Sequence, residues 1–146
     1  MIDWYVFIVF IHVLSAAISV GPLFVLFAIL KKMREADATL ETSYIAIFRS
    51  VVRLIKHSGH VLVVSGILLV YLGPWPWSTS WIVMTIGLMV VSIFFLARGF
   101  SSTLKKFVIP GIDRLKLIAK LYKATWVYIT LLALMLALMV IKPTLW

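Results

Sequence analysis

The stretch FIHVLSAAISVGPLF, residues 10–24, places a histidine inside a long run of apolar residues. The run extends over residues 4–30, and about 20 apolar residues are enough for a helix to cross a bilayer. Of the 146 residues, 64% are hydrophobic and 13% are charged, whereas a soluble domain has roughly 45–50% apolar residues. The composition therefore predicts a polytopic membrane protein, and it raises the question of what His12 holds there.

Four apolar runs predict a single all-α domain, an up-down bundle of four transmembrane helices. The predicted helices cover residues 4–30, 43–73, 79–108 and 112–142, and Ser43 is the predicted cap of the second. A helix over residues 43–73 would be about 45 Å long, which exceeds the roughly 30 Å of a hydrocarbon core. Helices are therefore expected to extend into the cytoplasm. The first run has no basic segment before it, which predicts a retained helix and not a cleaved signal peptide.

The basic residues predict the orientation. Six Lys or Arg lie in residues 31–56 and seven in residues 98–123, which leaves one of the 14 elsewhere. The turn at residues 73–81 has none. By the positive-inside rule, both basic connections are cytoplasmic and both termini are outside. The net charge of +9 is thereby explained by topology, and nucleic acid is not an expected partner. An outer aromatic belt is predicted from Trp4, Tyr71, Trp75, Trp77 and Trp81.

Small and polar residues predict the interior faces of the first two helices. In the first helix one side carries Tyr5, Ile8, His12, Ser15 and Ser19, and polar groups inside a membrane are expected to face the bundle interior. In the second helix Gly59, Gly66 and Gly73 recur at seven-residue spacing. Glycines allow another helix, or a flat cofactor, to approach the backbone closely.

The depths of the histidines predict a cofactor site. At 1.5 Å per residue from the aromatic belt, His12 lies about 12 Å deep, His60 about 17 Å and His57 about 21 Å. His12 and His60 are therefore the predicted metal ligands, and two facing imidazoles in a bundle are able to ligate a b-type haem axially. His57 is predicted to be an interfacial or supporting residue. The complete predicted cofactor-binding set, including cations for the haem propionates, is His12, His60, Arg53, Gly59, Gly66 and Arg98.

Several alternatives remain open on these residues. His12 and His60 with Met135 and Met139 would suit copper, because thioethers are soft ligands, and His12 alone would serve as an interhelical hydrogen-bonding residue. A non-catalytic subunit of a respiratory or other membrane complex is a third function. Besides the lipid bilayer, the partners considered are a quinone, a larger complex and a second copy. The chain has no cysteine, nucleophile–base pair, phosphate loop or carboxylate dyad, so the sequence assigns no enzymatic activity.

Two stretches carry a resemblance to known proteins. FIHVLSAAISVGPLFVLF, residues 10–27, resembles the first-helix motif of small four-helix membrane proteins of the copper-resistance D (CopD-like) type, and HemJ-type protoporphyrinogen oxidases start similarly. RLIKHSGHVLVVSG, residues 53–66, is similar to their bacterial relatives among predicted integral membrane proteins. In the HemJ-type proteins the first-helix histidine is associated with haem. The resemblance therefore implies that role for His12, and it implies a bacterial inner or plasma membrane.

Overall fold

A computed structural model describes residues 3–146, and every regular element in that range is helical. A π-helical turn, Ala97–Ser101, joins the helix Ser80–Leu96 to the short helix Ser102–Lys106. Four helical segments are long and apolar enough to cross a membrane, and Ser80–Lys106 counts as one of them. The predicted all-α protein with four spans is thereby confirmed. The helices are α1 (Trp4–Glu35), α2 (Ala38–Leu72), α3 (Ser80–Leu96), α4 (Ser102–Lys106) and α5 (Arg114–Ile141).

Aspartate side chains cap the N-termini of three of the helices. Asp3 accepts a hydrogen bond from the backbone N–H of Tyr5, and Asp37 accepts one from Leu40 at 2.8 Å. Asp113 accepts from the first turn of α5 in the same way. Such caps satisfy free N–H groups and place negative charge at the positive end of the helix dipole. Since Asp37 is the cap, α2 begins before the predicted residue 43, and Ser43 lies inside the helix.

The bundle has two chemically different ends. α1 packs against α2, α3 packs against α5, and α1 also packs against α5. The connections α1–α2 and α4–α5 lie at one end, here called the basic end, together with most of the Lys and Arg residues. The α2–α3 loop, the start of α1 and the end of α5 lie at the other, here called the tryptophan end. Which end faces the cytoplasm stays a prediction.

The half of the bundle next to the basic end is densely packed. The rings of Phe48 and Phe100 lie with their centroids 6.0 Å apart, and Phe100 meets Tyr128 at 5.9 Å. The buried carboxylate of Glu41 in α2 forms an ion pair with Arg114 at the start of α5. These contacts join α2 to the π-helical turn and to α5. The fully buried apolar side chains that accompany them are Leu23, Leu26, Leu30, Met33 and Leu121.

The tail after α5 is tied across the start of α3. The Ser80 hydroxyl donates to the Pro143 carbonyl at 2.6 Å, and the Leu145 N–H donates to the Ser80 oxygen at 3.0 Å. The Trp146 indole N–H donates to the Ser78 carbonyl at 3.0 Å. These bonds require the chain to turn sharply at Lys142, which has φ of +49°. The tail therefore packs against the start of α3 at the tryptophan end.

Candidate functional site

A cavity of about 310 Å³ lies in the half of the bundle next to the tryptophan end. It forms because α2 packs on α1 while α3 packs on α5, which leaves a gap between α2 and α3. Its volume is that of a small-molecule site, and apolar walls with a few polar groups are typical of such sites. Its chemically distinctive lining residues are Tyr5, His12, Trp75, Trp77, Trp81, Thr85, Met89, Met135, Met139 and Lys142.

The His12 imidazole is held in one orientation by α2. Its Nδ1 lies 3.0 Å from the Ser65 hydroxyl oxygen, and that hydroxyl lies 2.7 Å from the Val61 carbonyl. The same hydroxyl also reaches the Leu62 carbonyl at 3.1 Å. When its hydrogen points to either carbonyl, Ser65 accepts a hydrogen bond from Nδ1–H, and Nε2 of a neutral ring carries the lone pair. His12 lines the cavity, and in this tautomer Nε2 is the nitrogen that would bind a ligand.

A second polar pair repeats this arrangement one heptad further along. The hydroxyls of Ser19 and Ser58 lie 2.9 Å apart, and both residues are buried. His12 and Ser19 are seven residues apart in α1, as Ser58 and Ser65 are in α2. Two antiparallel helices with the same spacing bring both pairs together in one register. We call these four residues the polar seam, and it holds α1 against α2.

Gly66 is the residue of α2 that lies against the His12 ring, where a larger side chain would crowd the imidazole. A Cβ atom at Gly66 would lie 3.1 Å from His12 Cε1 and 3.6 Å from Nδ1. At Gly59 an added Cβ would meet nothing within 4 Å, and at Gly73 it would meet the Leu69 carbonyl at 2.6 Å. Of the predicted glycine stripe, Gly66 therefore contacts the candidate ligand, whereas Gly59 does not.

The structure does not bring His60 to His12. His60 is exposed, and its ring lies 6.4 Å from that of His57, which is exposed as well. Since each helical residue turns by about 100°, His60 points about 140° away from Ser65, the residue that faces His12. Arg53 and Arg98 are also exposed and do not line the cavity. Among the six predicted cofactor-binding residues, only His12 and Gly66 line it.

Three important residues were not part of the predicted site. Ser65 orients His12, and the matching seven-residue spacing of Ser58 and Ser65 was a signal for it. Trp81 was expected only as a belt residue, yet its indole nitrogen is buried and without a hydrogen-bond partner in the described chain. Lys142 reaches the cavity through the fold of the tail, for which the sequence has no local signal.

Alanine at Gly66 is expected to stabilise the protein less than alanine at Gly59. Gly→Ala inside a helix gains up to about 1 kcal/mol, and at Gly59 there is space to realise that gain. At Gly66 the new methyl group must displace the His12 ring, which weakens a hydrogen bond worth about 1 kcal/mol. Thermal unfolding in detergent, followed by circular dichroism, should give a lower midpoint for Gly66→Ala than for Gly59→Ala. Equal midpoints would contradict the close contact.

Comparison with known proteins identifies the family of this chain. A family described as "Predicted integral membrane protein (DUF2269)" matches residues 6–98. Because the match covers more than half of the chain, the protein belongs to this family. The matched residues include the polar seam and, apart from Tyr5, the cavity walls from α1, α2 and α3. No curated protein and no solved structure matches the chain. The integral membrane class is therefore confirmed, and the resemblance to CopD-like and HemJ-type proteins is not.

Proposed function

We propose that this protein holds a b-type haem in the cavity, with His12 as its only histidine ligand, and that it has a redox role in the membrane. The observation that carries the proposal is that His12 lines an apolar cavity of small-molecule size while Ser65 contacts its Nδ1, which leaves Nε2 for a ligand. Neutral imidazole is a common axial ligand of haem iron. Bound haem would supply one-electron transfer.

The surroundings of His12 suit a metal-ligating imidazole. Ligating histidines usually donate their second N–H to a nearby acceptor, which fixes the tautomer and the ring orientation. Ser65 accepts that bond here. Met135 and Met139 line the same cavity, and a His/Met ligand pair raises the potential of haem iron. The Met135 sulfur accepts a hydrogen bond from the Ser92 hydroxyl at 3.9 Å. The chain would thus bind the cofactor, orient its ligand and exclude water from it.

Ligation by His12 together with His60 is less compatible with this arrangement. Rotation of α2 by about 140° would be needed to face His60 toward α1. That rotation would break the hydrogen bonds of Ser65 and Ser58 across the polar seam. We therefore keep a single histidine in the proposal, and we do not assign Arg53 or Arg98 to the propionates.

Copper handling is a second candidate, and the joint presence of His12, Met135 and Met139 in one cavity favours it. Soft thioether and imidazole ligands suit Cu(I). Residues 3–146 contain no cluster of three His, Cys, Asp or Glu side chains that would hold a metal without the methionines. Metal analysis of the purified protein separates copper from haem iron.

The exposed face of α2 supports a partner in the membrane. His57 and His60 lie together on that face, and polar side chains that face lipid at this depth are costly. A second copy of the chain, or another subunit, would remove that cost by covering this face of α2. In the second case the protein would be an accessory subunit of a larger complex. Cross-linking in native membranes tests this, and a strictly monomeric product would exclude it.

We also propose that the basic end faces the cytoplasm of a bacterial cell, because nearly all Lys and Arg residues lie there. A single cysteine at Ser78, in a chain without cysteines, should react with an impermeant thiol reagent added to intact cells. Protection of Ser78→Cys, with labelling of Ser102→Cys instead, would reverse the orientation.

The test of the haem proposal is an optical spectrum of the detergent-purified protein, oxidised and then reduced with dithionite. We expect about one haem per chain, a Soret band that shifts on reduction and a sharp α band. Titration of the cofactor-free protein with haem should saturate. A protein that carries no haem after haem-supplemented expression, and that shows no saturable binding on titration, would overturn the proposal.

A further inference from the structure

Lys142 is an exposed positive charge among the residues that line the cavity. It lies with Trp75 and Trp81 at the tryptophan end, and we call this part the mouth of the cavity. Lys142 is the only Lys or Arg at the tryptophan end of the chain. The ion pairs in residues 3–146 are Glu41–Arg114 and Asp113–Lys116, so Lys142 has no anionic partner among them. Its ammonium group lies 4.8 Å from the ring centroid of Trp75 and 5.7 Å from that of Trp81. The charge is thus held over the two rings, at a point where the cavity begins.

The fold holds this lysine in place with specific contacts. Lys142 has left-handed backbone angles, with φ of +49°, which are uncommon for a residue other than glycine. The hydrogen bonds of Ser80 to Pro143 and Leu145 keep the chain in that turn. Left-handed angles are common where a helix ends, and the Lys142 N–H donates to the Leu138 carbonyl at the C-terminus of α5.

The cavity supplies no negative charge to balance that of Lys142. No Asp or Glu lines the cavity, and no carboxylate of residues 3–146 forms an ion pair with Lys142. The indole N–H of Trp81 has no hydrogen-bond partner in these residues, but its nitrogen is buried and not open to the cavity. A positive charge beside an apolar cavity matches an anionic oxygen on a ligand whose remainder is apolar.

We propose that the mouth of the cavity binds a carboxylate that is carried on an apolar body. The carboxylate is held by Lys142, and the apolar body extends inward along the cavity toward His12. Two molecules have this chemistry, a haem with its propionates and a long-chain fatty acid. If the ligand is haem, this inference rests on the proposed function. If the ligand is a fatty acid, it does not.

The experiment compares each acid with its ester. Haem and haem dimethyl ester are titrated by absorbance, and spin-labelled stearate and its methyl ester are titrated by quenching of tryptophan fluorescence, since three tryptophans line the cavity. The variants are Lys142→Met, Lys142→Arg and, as the control at the basic end, Lys123→Met. We expect Lys142→Met to weaken acid binding about tenfold and to leave ester binding unchanged, because a hydrogen bond to a charged group is worth 1.5 kcal/mol or more. Lys142→Arg, which keeps the positive charge, should bind the acids as tightly as the wild-type protein.

The outcomes separate this inference from the proposed function. If haem binds with an unchanged spectrum and Lys142→Met weakens only the acid form, the inference holds with haem as the source. If haem does not bind but stearate binding depends on Lys142, the haem proposal fails and the inference holds with a fatty acid. If Lys142→Met binds both acids as tightly as the wild-type protein, or if neither acid binds, the inference is overturned. An unchanged unfolding midpoint confirms that Lys142→Met is folded.

Discussion

The His12→Ala variant is expected to lose haem binding completely, whereas His60→Ala is expected to bind haem as tightly as the wild-type protein. His12 lines the cavity, and its Nε2 is the ring nitrogen that Ser65 does not contact. His60 is exposed on the opposite side of α2 and does not line the cavity. The measurement is a haem titration of each variant, with the reduced α band as the readout for axial ligation.

Two further variants show whether loss of binding in His12→Ala is due to ligation and not to a damaged fold. Ser65→Ala removes the acceptor that orients the imidazole, and loss of such a supporting bond typically lowers metal affinity 10–100-fold. Ser58→Ala removes a hydroxyl from the same seam without touching His12, so its haem affinity should stay close to wild type. Equal losses in His12→Ala and His60→Ala would favour ligation by both histidines instead.

The fold could be predicted from composition and periodicity because the bilayer sets the helix lengths. Four apolar runs of sufficient length leave one architecture, and the four spans are present. The start of α2 was less predictable, because Asp37 and Ser43 both suit a cap position. Asp37 caps the helix in the structure, since only two residues separate α1 from α2.

Only His12 and Gly66 of the predicted site residues line the cavity, because a sequence indicates the depth of a residue in the membrane better than the direction of its side chain. The rise per residue places His12 and His60 at compatible heights, yet the rotation between residues 60 and 65 turns His60 away. The interior stripe of α1 was correct, since Ser15 and Ser19 are buried and His12 contacts α2. The face of α2 that packs against this stripe could be predicted only from the seven-residue spacing of Ser58 and Ser65, which matches that of His12 and Ser19.

The cavity and Lys142 could not be predicted, because both depend on contacts between distant parts of the chain. The gap between α2 and α3 exists because each helix packs on a different neighbour. Lys142 lies at the mouth because Ser80, more than 60 residues earlier, binds the tail. Neither feature leaves a pattern in the local sequence.

Phe48→Ala is expected to destabilise the protein by about 3–5 kcal/mol, the usual cost of removing a fully buried phenylalanine ring. Phe48 has no exposed surface, and its ring packs against that of Phe100. Phe100 in turn contacts Tyr128 of α5. The ring therefore links α2 to the other helices in the basic half, and its removal leaves a space that the surrounding helices fill only partly.

Thermal unfolding of Phe48→Ala in detergent measures this cost, and Phe94→Ala is the matched control. Phe94 is 64% exposed, so its loss should change the midpoint little. A small shift in Phe48→Ala would mean that the basic half does not hold the bundle together. Because α2 and α3 separate in the other half, a folded bundle needs this packing to keep the cavity walls at a fixed distance. Haem affinity should therefore fall in Phe48→Ala even though the substitution lies outside the cavity.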